Sequence, residues 1–271
     1  MRIWKGNGFA YRYAIPPNAN SKFSSSQYCK EMFSDLNYFK PCPSTVFQNE
    51  IRDYLTSHRE VSKAFITSVL SQLNWAFSQF VGMLQEIQNA SNRPEKVFFD
   101  SRQLKICCTC FDLTIALLRV LEMIVNLNPL LITKADNDLI LNQLCTLINQ
   151  ILNRLAVSSG CFEYVVNLDI TALNMVAHFP LITAVAGVII GLVAKGPSES
   201  RELALAALVS DASFLPSSIL NLNGQSDTLN PSSFQLEDYP EISTEEFKTL
   251  SEVVNLMLNK HQVLDMSKYA D

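Results

Sequence analysis

From Met175 to Ala194 the chain reads MVAHFPLITAVAGVIIGLVA, twenty residues without a formal charge. A helix made from such a run has no polar face, so it must be enclosed on every side, by lipid or by other helices. The run is long enough to span a bilayer. It suits equally the central helix of a large helical protein. His178 and Pro180 sit near one end, and Gly187 and Gly191 are expected to interrupt the other.

The rest of the sequence supplies helices that could enclose it. A long helix is predicted from about Thr45 to about Ser91, its core stripe set by Phe65, Val69, Leu73, Phe77, Phe80, Leu84 and Ile87 in steps of three and four. Asn92-Arg93-Pro94 ends it, because proline disfavours the α conformation in the residue before it. A second helix is predicted from about Asp100 to Asn126 on Leu104, Cys108, Phe111, Ile115, Leu118, Leu121 and Val125, stopped by Asn128-Pro129. A third runs from about Asp136 to Val157, and Ser158-Ser159-Gly160 closes it with a glycine available for a left-handed turn. After the apolar run, Lys195-Gly196-Pro197 leads into a helix over Ser198–Ser210, with Ser198 or Ser200 as its N-cap. No strand-like alternation competes with these patterns. The expected fold class is all-α, a bundle or a HEAT- or armadillo-like stack of long helices.

Residues 1–44 read as an irregular lead segment. Pro16-Pro17 and Pro41-Cys42-Pro43 are turn chemistry, while nine aromatic residues from Trp4 to Phe39 suggest that the segment packs on the helices. Residues 45–215 form the expected helical scaffold domain. Residues 216–242, rich in Ser, Asn and Pro, read as a linker or loop. Residues 243–271 read as an amphipathic helix opened by the capping-box spacing of Ser243 and Glu246.

The chemistry-bearing residues are sparse. Cys107-Cys108-Thr109-Cys110 is the densest cluster. Zinc needs four tetrahedral ligands, and no second knuckle accompanies these three, so they read as core cysteines. His58, His178 and His261 lie far apart in sequence. His178 reads as a core residue and the other two as surface residues, leaving no base for a nucleophile. Gly6-Asn7-Gly8 lacks the third glycine and flanking elements of a dinucleotide fingerprint. Glu60, Glu86, Glu95 and Asp100 are scattered as on a solvated face, and Trp75 falls at core spacing. No catalytic, cofactor-binding or metal-ligating residue is assigned, and no cofactor is expected for this chain. Net charge is −5 with no basic cluster, which argues against nucleic acid as a partner. Seven cysteines and no secretory leader pattern point to free thiols in a reducing, cytoplasmic setting, with membrane attachment the less favoured reading.

Several words in the sequence recur together in one family. They are KPCPST at 40–45, SQLNWAFSQF at 71–80, GMLQEIQ at 82–88, DSRQLK at 100–105, CFDL at 110–113, LRVLEM at 118–123, LINQILNR at 147–154 and KGP at 195–197. Trp4, Gly8-Phe9 and Tyr11-Arg12-Tyr13 fit the same pattern. On these words the chain resembles the SPRY- and RING-containing E3 ubiquitin-protein ligases of the Kip1 ubiquitination-promoting type. The resemblance implies a C-terminal helical region that precedes a zinc-binding RING. Residues 1–271 contain no RING knuckles, so zinc is expected only beyond them and this piece is expected to be inactive alone. The implied partners are a ubiquitination substrate, an E2 enzyme engaged through the RING, and a cofactor subunit with ubiquitin-associated domains. A RING-less helical adaptor, or a protein anchored through residues 175–194, are the other readings.

Overall fold

The computed structural model describes residues 43–92, 100–134, 137–156, 160–222 and 244–268. Every regular element among them is helical. The elements are α1 (Pro43–Ser57), α2 (Arg59–Ser91), α3 (Ser101–Leu127), α4 (Leu130–Thr133), α5 (Asp138–Ala156), α6 (Cys161–Val166), a 3-10 turn (Thr171–Leu173), α7 (His178–Val193), α8 (Ser198–Ser210), α9 (Pro216–Leu222) and α10 (Thr244–Lys268). Helix α2 pairs with α3, α3 with α7, α7 with α8, and α8 with α5 and α10. The all-α stack expected from periodicity is the fold.

The apolar run sits at the centre of this stack. All of α7 except Phe179 is buried. In the stretch Thr171–Val193, the one candidate span among the described residues, 89% of the most apolar window is buried inside the protein. Pro180 lies in the first turn, where its missing N–H has no helical partner to lose. Gly187 and Gly191 do not interrupt the helix; they let α3 approach it. A Cβ at Gly191 would stand 2.5 Å from Cγ2 of Val125. Helix α7 ends through Gly196, whose φ of 85° is the left-handed conformation that glycine adopts without strain. A side chain there would also strike Pro129 at 2.6 Å.

The structure corrects several local expectations. The predicted 45–91 helix is two helices, because His58 leaves helical geometry with φ −111° and ψ 68°. The Ser62 hydroxyl donates to the carbonyls of Leu55 and His58 across that break, satisfying groups the kink frees. Phe65 and Trp75 are exposed rather than core, with Ile66, Leu73 and Ala76 taking the inward positions. Gly160 is extended and caps the start of α6, an element the periodicity did not show; it makes no left-handed turn. Pro197, not a serine, is the N-cap of α8, and Ser200 is buried against Thr133. The expected linker begins, over Pro216–Leu222, as α9, with Ile219 and Leu222 buried. The last helix is not set apart from the scaffold: Leu250, Val253, Val254 and Met257 join the same core cluster as α2 to α8. Pro43 and Ser44, expected in the irregular lead segment, open α1 instead; residues 1–42, residues 223–242 and Ser243 of the capping box lie outside the described residues.

Candidate functional site

The polar residues that fall inside this apolar stack are where its chemistry is concentrated. The densest group lies between α3 and α7. Glu122 is buried, 2% exposed. Arg119, one turn earlier on α3, donates from Nη1 to Glu122 Oε2 at 2.6 Å and from Nη2 to the Thr183 hydroxyl of α7 at 2.9 Å. Asn126 donates from Nδ2 to the Glu122 carbonyl at 2.7 Å. Lys195, just past the end of α7, donates to Asn126 Oδ1. Burial pushes the Glu122 carboxyl above its ordinary range, with Arg119 and Lys195 pulling it back. Burial likewise depresses Lys195, against the attraction of Glu122. The carboxylate fits only because the facing position is glycine: a Cβ at Gly187 would stand 2.3 Å from Glu122 Oε1.

A second group ties α6 to α7. His178 Nε2 lies 3.2 Å from Glu163 Oε2, and its ring meets Phe162 edge-on at 4.3 Å. Phe162 in turn packs on Phe80 of α2, which touches Phe111 of α3. Burial lowers the His178 pKa below the ordinary imidazole value, with Glu163 pulling it up. A third group runs along α5. Thr146 and Asn149 donate to the Asp211 carboxylate at the end of α8, and Asn153 donates to the Ser213 carbonyl at 2.7 Å. Asn149 also donates to the Leu208 carbonyl at 3.0 Å, closing a group left open at the helix terminus.

The residues singled out by sequence are not brought together. Cys107 and Cys110 are buried, while the Cys108 thiol donates to the Ala172 carbonyl at 3.2 Å. Burial pushes the Cys107 and Cys145 thiols up to about 12 and raises Cys108, Cys110 and Cys161. A protonated thiol is a poor nucleophile and a poor metal ligand. Among the described residues, no group of three or more His, Cys, Asp and Glu is placed to hold a metal ion. His58 stacks on Tyr54 at the exposed kink. His261 is half-buried rather than a free surface residue, pairing with Asp265 at 3.2 Å and packing on Phe214. Asp100 caps α3 by accepting from the Arg102 N–H at 2.9 Å. Gly6-Asn7-Gly8 and Glu95 lie outside the described residues. A cavity of about 320 Å³ is lined by Val165, Asp169, Ile170, Leu173 and their neighbours. Asp169 is the one non-glycine residue at positive φ among the described residues, at 49°.

Glu122, Arg119, Thr183 and Lys195 escaped the sequence reading. The signal was present: Glu122 falls four residues after Leu118 and three before Val125, on the apolar stripe itself. Two glycines four apart in the facing helix match it. What this group does chemically is join helices: Arg119 grips both Glu122 of its own helix and Thr183 of α7, and Lys195 reaches back to Asn126 of α3.

Comparison with known proteins follows the same boundaries. Residues 63–263 match the family model described as RNF123-like, TPR repeat. Over 194 residues the chain is 27% identical to the E3 ubiquitin-protein ligase RKP of Arabidopsis thaliana, covering 71% of this chain and 13% of that protein. The chain therefore spans about an eighth of that relative's length. No solved structure matches.

Proposed function

The chain belongs to the RNF123-like, TPR-repeat family, and from that premise we propose that it is the helical scaffold of a RING-type E3 ubiquitin-protein ligase. The observation that carries the reading is that the family match, residues 63–263, takes in α2 through most of α10, the helices that share one core. An E3 ligase of the RING type accelerates transfer by proximity, holding a charged E2 beside its substrate. A scaffold contributes stiffness and spacing, and the buried ties between α3 and α7 and between α5 and α8 supply both. The finer reading is a ligase of the Kip1 ubiquitination-promoting type, cytoplasmic, with a substrate, an E2 and a ubiquitin-associated-domain subunit as partners, and with zinc confined to a RING outside residues 1–271.

The test is a pair of reactions with E1, E2 and ubiquitin. Residues 1–271 alone are expected to transfer no ubiquitin. Deleting residues 63–263 from a RING-containing polypeptide of this family is expected to abolish substrate ubiquitination while autoubiquitination persists. Transfer by 1–271 alone, or a deletion that leaves substrate ubiquitination intact, overturns the reading.

A further inference from the structure

Within α2, residues 64–85 contain no Asp, Glu, Lys or Arg, although an exposed helix face normally carries the charges that keep it in water. Trp75 stands in the middle of this stretch and is 52% exposed. A tryptophan in charge-depleted surroundings is the composition of an interface core. The outward line of the helix runs Ala64, Ser68, Ser71, Trp75, Ser78 and Gly82, in alternating steps of four and three, with the first five exposed and Gly82 half-buried.

Gly82 is a second and separate observation. Glycine weakens a helix interior relative to alanine, so its presence there needs a reason. Gly187 and Gly191 have theirs in the side chains of α3 that press against them. At Gly82 a Cβ would meet nothing within 4 Å among the described residues. The room it leaves opens to the outside of the fold.

We propose that this face of α2 pairs with the same face of a second copy of the chain, antiparallel, about a two-fold axis near position 73. Around such an axis a surface meets itself, so any charge on it would face its like. Residues 64–85 offer none. The outward line also repeats every seven residues, as the seam of paired helices does. Antiparallel pairing sets Trp75 against Ser71 of the second copy, Ser68 against Ser78 and Ala64 against Gly82. The one large side chain thus meets a small one, and the remaining pairs are small enough for the two backbones to approach closely. The paired stretch is about 28 Å long. One helix pair of that length buries less than the ~1,200–2,000 Å² of a standard interface, so the dimer is weak and reversible. This inference is independent of the ligase reading.

Sedimentation equilibrium of the full chain is expected to show a monomer–dimer equilibrium. Trp4 and Trp75 are the only tryptophans, so W4F leaves Trp75 as sole reporter, and its emission is expected to shift to the blue as concentration rises through that equilibrium. G82L puts a side chain into space that the fold itself leaves open. It is expected to leave helical circular dichroism and the unfolding midpoint unharmed while weakening the dimer by about tenfold or more. Chains carrying S68C, mixed with chains carrying S78C, are expected to form a disulfide between copies faster than S68C chains do with one another. A chain that stays monomeric up to millimolar concentration, Trp75 emission that is the same at every concentration, a dimer that G82L leaves intact, or S68C chains that link fastest to themselves each overturn the proposal.

Discussion

Glu122 illustrates how a single side chain is made tolerable in an apolar stack. Removing one member of a buried ion pair leaves the other charge uncompensated, and E122A is expected to cost about 3–5 kcal/mol in denaturant unfolding. G187A drives a methyl group into the carboxylate, so it is expected to destabilise the natural chain but far less the E122A chain. The double-mutant cycle should return a coupling of about 0.5–3 kcal/mol; strict additivity would contradict the contact. The pH dependence has a definite sign. The folded carboxyl holds its proton more tightly than the ordinary value of 4.5. Its contribution is therefore full below 4.5 and is lost as pH rises through the raised value. His178 acts the other way: its folded pKa lies below 6.5, so its contribution is full above 6.5 and is lost as pH falls through the depressed value. The two limbs have opposite slopes, that of Glu122 starting above 4.5 and that of His178 below 6.5, and each is read by difference, from E122Q and from H178F. The raised thiols give a separate check. Cys107 and Cys145 are expected to resist iodoacetamide in the folded protein and to react fully in denaturant, as followed by mass spectrometry.

At the scale of elements, the close approach of α3 and α7 rests on small residues. G191A places a Cβ 2.5 Å from the branched side chain of Val125, and a β-branched neighbour cannot rotate away. A loss of about 1–3 kcal/mol is expected, measured by thermal or chemical unfolding. The helices whose ends are written in local chemistry were the legible ones. Asp100 before α3, Asn128-Pro129 after it and Gly196-Pro197 before α8 each mark a boundary by capping or by backbone restriction. The kink at His58 was not legible, because it depends on hydroxyl bonds that only the folded pair α1 and α2 brings together. Trp75 was misplaced for a related reason: two stripes at helical spacing share α2, and periodicity alone does not say which one faces the core. Helices α6 and α9 are shorter than the window in which a period can be seen. Of the polar ties, Asn149 and Asp211 were invisible, since a lone amide or carboxylate looks the same in sequence whether it bridges helices or meets water.

For the whole molecule, one core from Ile66 to Met257 predicts that distant helices unfold together. Helix α10 packs on α7, α8 and α9, yet M257A, at a fully buried site, is expected to lower the unfolding transition seen by Trp75 on α2. A cost of about 2–5 kcal/mol is the expectation for that truncation; a Trp75 transition that does not move would mean that α10 melts by itself. Within this single unit the pairing of Glu122 with Gly187 has a positional meaning. A uniformly greasy helix can seat itself against its neighbours at more than one height, one turn or about 5.4 Å apart. Sliding α7 one way sets Thr183 against Glu122, where there is no room. Sliding it the other way sets Gly191 there, and Arg119 then faces Gly187 and loses the hydroxyl it grips. The carboxylate thus works as a key cut to one notch, and the helices that follow α7 inherit their place along the array from it.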